Sequence, residues 1–145
     1  MNAIEIFLIL CLGHLASDFL LQTDAMVKAK KHGAAAYWRH GLIHYVAIVV
    51  VTVFADPALL AGIRFQAICV ALIGVHLLID FCKERLTVAA KIRDNALTFL
   101  TDQAAHIVTI VAAALLVTGT SPEAAVAWLE ALVPHRDRIL AVLVI

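Results

Sequence analysis

Four apolar runs constrain this chain more than any other feature: approximately Ala3 to Thr23, His40 to Ala55, Leu59 to Cys82 and Leu97 to Thr118. A helix needs about 20 mostly apolar residues to cross a hydrocarbon layer ~30 Å thick, and only the second run falls short of that. Such runs fold as helices in lipid because every backbone N–H and C=O must find its partner within the segment. The expected fold is therefore all-α, a polytopic membrane helix bundle of four transmembrane helices. The balance of residue types agrees, with 63% hydrophobic and 15% charged residues, far from a soluble domain. Lys plus Arg and Asp plus Glu number 11 each, so net charge gives no reason to expect nucleic acid as a partner.

The first run reads as a retained helix rather than a secretory signal, since no Lys or Arg precedes it and His14 and Asp18 lie near its end. Asp56-Pro57 marks a tight turn that makes the second and third runs a helical hairpin. Ser121-Pro122-Glu123 has the residues of a helix start, and Pro134 closes the short segment that follows, which Trp128 would anchor at the membrane interface. The last run, Ile139 to Ile145, covers only about 10 Å as helix and is at most part of a fifth span. No internal repeat divides the chain, so residues 1–145 read as one domain. Cys11, Cys69 and Cys82 show no paired spacing and read as small packing residues.

Basic residues set the expected orientation. Lys28, Lys30, Lys31 and Arg39 fall between the first two runs, and Lys83, Arg85, Lys91 and Arg93 between the last two. Both connections are expected in the cytoplasm, which places the N-terminus outside.

Ionisable residues within apolar helices are costly and usually face a bundle interior or a water-filled cavity. Here they recur as pairs: His14 and Asp18, His40 and His44, His76 and Asp80, Asp102 and His106. A spacing of four residues puts both members of a pair on one helix face, about one turn apart. Combined with the topology, the pairs fall at one depth: those of the first and third helices lie near their ends, those of the second and fourth near their starts. One such pair would most simply be a hydrogen-bonded core histidine. Four at matching depth point instead to one convergent site between about residues 13 and 106, with Gln22 a further turn along the first helix.

Five imidazoles and three carboxylates suit a divalent transition metal, zinc foremost, rather than calcium or magnesium. Eight such groups can hold two ions about 3.5–4 Å apart with a bridging Asp, or one ion with outer carboxylates orienting the histidines.

The stretches Gly13-His14-Leu15-Ala16-Ser17-Asp18-Phe19-Leu20-Leu21-Gln22-Thr23-Asp24, His40-Gly41-Leu42-Ile43-His44, His76-Leu77-Leu78-Ile79-Asp80 and Asp102-Gln103-Ala104-Ala105-His106 resemble a family of bacterial integral membrane proteins, domain-of-unknown-function family 3307. The resemblance runs from about Gly13 to His106 and implies a bacterial inner membrane without implying an activity. A looser resemblance, in pattern only, is to bacterial inner-membrane metal-dependent hydrolases related to zinc-dependent phospholipases, and it implies phosphoester chemistry.

The expected function is thus a membrane-embedded metal-dependent hydrolase at the cytoplasmic face, acting on membrane lipid or a lipid-linked phosphoester. Asp18 or Asp80 would be the general base, if not a ligand. Gln22, Arg39, Lys83 and Arg85 border the site as candidate substrate contacts, the basic ones suited to a phosphate, although they also serve as topology markers. Two alternatives stand beside this reading. The same cluster would serve a divalent metal or proton transporter, and a non-catalytic subunit would use it only to lock its helices. The residues do not specify an oligomeric state.

Overall fold

The computed structural model describes residues 1–30, 33–93, 95–121, 123, 124 and 126. Among these the chain is mostly helical and has no strand, with five α-helices: α1 (Ala3–Leu15), α2 (Asp24–Lys30), α3 (Ala34–Ala55), α4 (Ile63–Val88) and α5 (Ala96–Thr118). Four spans are long and apolar enough to cross a membrane: Ala3–Leu21, Ala34–Ala55, Ile63–Val88 and Ala96–Thr118. The protein is a multi-pass membrane protein. Of the expected C-terminal features, only the first turn of the short segment is described, where Ser121 Oγ accepts from Ala124 N at 3.2 Å. Trp128, Pro134 and the run from Ile139 to Ile145 lie outside the described residues.

The helix ends follow from local chemistry. Asn2 caps α1 by accepting from Ile4 N and Glu5 N, while Glu5 Oε2 accepts from Asn2 N, the reciprocal arrangement of a capping box. Asp56 closes α3, and its side chain accepts from Ala58 N to start a 3₁₀ turn over Pro57–Ala61. Asn95 caps α5, accepting from Thr98 N at 3.0 Å. Gly119, at φ 69°, ends α5 in the left-handed conformation that glycine adopts at little cost.

Three details depart from the expected boundaries. First, α3 begins at Ala34 rather than His40, because Ala34-Ala35-Ala36 are strong helix formers ahead of the polar Tyr37-Trp38-Arg39. His40 and His44 consequently sit inside the helix, not at its opening. Second, α4 runs from Ile63 to Val88, several residues beyond Cys82. Third, the first span does not finish as an α-helix. Residues Ala16–Leu21 form a π-helical segment, a wider turn that often occurs at functional sites.

The four spans make a ring in which α1 packs on α3 and α5, and α4 packs on α5 and α3. Two glycines set how closely neighbours approach. A Cβ on Gly13 would lie 2.7 Å from Ile48 Cγ1 and 3.1 Å from its Cα, so α1 meets the backbone of α3 there. A Cβ on Gly41 would lie 2.9 Å from Leu77 Cδ1, bringing α3 against α4. One half of the ring is filled by Ile6, Leu10, Ile48, Phe65, Cys69, Ile110, Ala113 and Ala114. The other half, towards the ends joined by the connections 22–33 and 89–95, holds the polar pairs. Large apolar side chains such as Leu20, Phe54, Ile63 and Leu97 point outward, as a lipid-facing surface requires.

Candidate metal centre

All four pairs face inward and meet. His14, His40, His44, His76, Asp102 and His106 are buried, and Asp18 and Asp80 are half-buried. Their ligand atoms fall into three overlapping groups, each within 4.8 Å: His14, Asp18, His44 and His76; His40, His76 and Asp80; and Asp80, Asp102 and His106. His76 joins the first two groups and Asp80 joins the last two, so the eight side chains form one connected cluster. The bundle brings together every residue expected from the sequence to be a ligand.

Local structure explains the convergence. Gly13 and Gly41 stand next to His14 and His40, and the close approaches that they permit draw α1, α3 and α4 together at the level of the imidazoles. The π-helical turn carries Asp18, which lies with Oδ1 2.9 Å from His44 Nε2 and 3.2 Å from His40 Nε2. Ser17 turns back to donate to Gly13 O at 2.7 Å, satisfying its hydroxyl without entering the cluster.

Hydrogen bonding cannot account for all these contacts. His40 Nε2 lies 3.0 Å from His76 Nε2, 3.2 Å from His44 Nε2, 3.2 Å from Asp18 Oδ1 and 3.4 Å from Asp80 Oδ2. A ring nitrogen carries at most one proton, directed to one neighbour. One proton on His40 Nε2 serves one of these contacts, and the remaining close approaches of ring nitrogens are ones that a cation among them would relieve. The separations among His40, His44, His76 and Asp18, 2.9–3.7 Å, scatter about the ~3.3 Å edge of a tetrahedron whose centre is ~2.0 Å from nitrogen or oxygen, the geometry of zinc with such ligands. A second group has similar edges: His106 Nε2 lies 3.4 Å from Asp80 Oδ1 and 3.6 Å from Asp102 Oδ1. Asp80 thus offers one oxygen to each group. Buried His14 Nε2, His40 Nδ1, Asp102 Oδ1 and His106 Nε2 make no hydrogen bond, and each such atom costs about 1–3 kcal/mol if left so.

Two lysines complete the charge balance. The ammonium of Lys30, a buried residue at the end of α2, pairs with Asp80 Oδ2 and lies 5.8 Å from the Tyr37 ring centre. Lys83 Nζ is 3.0 Å from Asp102 Oδ2 and 5.8 Å from the Phe99 ring centre. Lys30 is a site residue that sequence reasoning missed, having taken it for a topology marker. A signal existed in Thr23-Asp24, a helix start that would have carried Lys30 back towards the bundle.

The cluster opens at one end into a cleft of 160 Å³, with Asp18, Asp80 and Asp102 on its wall beside Lys30, Lys83 and Gln22. Gln103, which donates to Asp102 Oδ2 at 3.3 Å, also lines it. Of the candidate substrate contacts, Gln22 and Lys83 line this cleft. Arg39 and Arg85 are exposed outside it, and the Arg85 guanidinium lies 4.9 Å from the Phe81 ring centre.

A family model described as "Protein of unknown function (DUF3307)" covers residues 6–133. No curated protein and no solved structure matches the chain.

Proposed function

The chain belongs to the DUF3307 family, and from its polar cluster we propose that it is a membrane-embedded, metal-dependent hydrolase acting on a lipid or lipid-linked phosphoester. One observation carries the reading: five imidazoles and three carboxylates from four helices crowd together at separations that protons alone cannot satisfy. The donor set suits zinc: His40, His44, His76 and Asp18 would hold one ion, and Asp80, Asp102 and His106 would supply ligands to a second. When bound, such an ion lowers the pKa of a coordinated water to about 7, which makes a nucleophile available at neutral pH.

The chain's own residues would do the rest. Asp18 and Asp80 border the cleft and are the candidates to accept a proton or to hold the metal. The apolar half of the ring closes the site from the other side, and the polar end would face the cytoplasm of a bacterial inner membrane, with the N-terminus outside, because the basic residues cluster in the connections 22–33 and 89–95.

A second reading, transport of a metal ion or proton, is favoured by the buried Lys30–Asp80 pair, since intramembrane ion pairs often mark ion pathways. Against it, Ile6, Leu10, Ile48 and Ile110 fill the interior beyond the histidines, and the buried Thr52 there donates its hydroxyl back to Ile48 O.

Elemental analysis of detergent-purified protein tests the reading, with one or two equivalents of a transition metal expected and most of it lost in His44→Ala or His106→Ala. Wild-type protein free of metal after separate supply of zinc, manganese and iron would overturn it. Metal-dependent flux in liposomes without phosphoester cleavage would favour transport. For the aspartates, Asn variants of Asp18 and Asp80 separate two roles: a general base loses activity by about 10²–10⁴ with metal retained, whereas a ligand loses both together.

A further inference from the structure

One lysine of the cleft, Lys30, stands where a metal would displace it, and the other, Lys83, holds a carboxylate whose second oxygen faces the histidines. The Lys30 ammonium lies on Asp80 Oδ2, the same oxygen that is 3.4 Å from His40 Nε2 and 3.7 Å from His76 Nε2. Lys83 holds Asp102, whose other oxygen faces His106. A divalent ion drawn to these carboxylates repels an ammonium on the same group, because like charges at such distances in a partly buried site interact strongly. Metal loading would leave both ammonium groups free to face an anionic ligand in the cleft, whose wall also carries Glu84.

The wall beside Lys83 adds a second requirement. Phe99 lies under Lys83 and makes an edge-on pair with Phe19, with ring centres 6.2 Å apart. Both rings are exposed, at 54% for Phe19 and 41% for Phe99, and Leu20, Leu97 and Leu100 around them are more exposed still. This side of the cleft, between the end of the first span and the start of α5, faces the hydrocarbon or its edge. It offers nothing to a fully water-soluble ligand.

We propose that the cleft binds the phosphate of an amphiphilic phosphoester, with Lys30 and Lys83 released from Asp80 and Asp102 to clamp the anion and the acyl chain running into the membrane along the exposed outer faces of Phe19 and Phe99. This inference rests on the metal-centre reading above for the release of the lysines, and it names the substrate class of that same site. Gln22, on the cleft wall, supplies an amide donor to a remaining phosphate oxygen.

Calorimetric titration of metal-supplemented, detergent-purified full chain tests the proposal with three probes: dioctanoyl phosphatidic acid, inorganic phosphate and dioctanoylglycerol. Phosphatidic acid should bind at least about tenfold more tightly than either of the others, and Lys30→Gln and Lys83→Gln should each weaken it by about tenfold, the loss of one charge-assisted contact. Phe19→Ser and Phe99→Ser should weaken phosphatidic acid and leave phosphate unchanged. Arg64→Gln, at the opposite end of the bundle, should change nothing. If Lys30→Gln fails to fold, Lys83→Gln, whose side chain is 28% exposed, decides the point alone.

Phosphate binding as tightly as phosphatidic acid would reveal a free-anion site and overturn the lipid assignment. Lysine variants within twofold of wild type would overturn the clamp. Hydrolysis of phosphoesters with an unchanged KM in both lysine variants would remove the clamp and leave the hydrolase standing. Lysine-dependent binding with no hydrolysis of any phosphoester would keep the ligand site and remove the hydrolase.

Discussion

The two halves of this bundle are built from the same four helices and obey opposite rules. In the apolar half, Ile6, Leu10, Ile48, Phe65 and Ile110 fill space and have no polar atom to satisfy. In the polar half, His40, His44, His76 and His106 are as deeply buried, yet four of the cluster's buried side chains keep an atom with no hydrogen bond. Packing in one half holds the helices at distances that the chemistry of the other half would not choose without a cation. Stability and function are thereby divided along the membrane normal.

Breaking the polar half should cost metal, not fold. His76 touches both His40 and His106, at 3.0 Å on either ring nitrogen, so His76→Ala should remove nearly all bound metal and lower any hydrolytic activity by at least about 10². Circular dichroism should show unchanged helix content. Loss of helix with the metal would mean that the two halves are not separable.

Breaking the apolar half should do the reverse. Leu10→Ala opens a cavity beside Ile48 and Ile110, and the cost should fall at the lower end of the ~2–5 kcal/mol seen for such changes. Without water as the reference for the separated helices, only lost packing remains. Unfolding in mixed detergent measures this, and metal content per folded molecule should hold.

Between the halves, Gly13→Ala should destabilise by about 1–3 kcal/mol, because the new Cβ meets the backbone of Ile48 as well as its side chain. Gly41→Ala should cost less, since its nearest neighbour is the flexible end of Leu77. Equal effects would show that α1 and α3 can part without harm. The smallest effect belongs to Asn2→Ala, which removes the cap of α1 for about 1 kcal/mol and should not alter the metal.

The pairs were legible in the sequence because a spacing of four survives in any helix, and because the basic connections fixed their common depth. The four spans were legible from hydropathy for the same reason that lipid tolerates them. Three features were not. The π-helical turn at Ala16–Leu21 has no residue type that announces it; it arises where α1 must turn Asp18 towards α3. The start of α3 was hidden because Tyr37-Trp38-Arg39 interrupts the apolar run while the backbone continues through it. Lys30 was hidden because α2 is only seven residues long, too short for periodicity to show, and because a lysine between two spans has a sufficient explanation in topology. The separation of Lys83 and Gln22 from Arg39 and Arg85 needed the cleft itself, since all four flank the same ends of the helices.

Sharing the ligands among four helices also bears on how the chain reaches the bilayer. No span carries more than one aspartate of the cluster, α3 carries none, and all four keep a mean hydropathy between 1.4 and 2.0. Three aspartates on one helix would add roughly 8–10 kcal/mol to its insertion on the translocon scale, enough to keep it out. Spread as they are, each span carries only a fragment of the polar cluster. The cluster is complete when α5, the last of the four in the chain, docks between α1 and α4 and brings Asp102 and His106. An ion bound at that moment would act as a checkpoint on assembly, retained by complete bundles and released by unfinished ones.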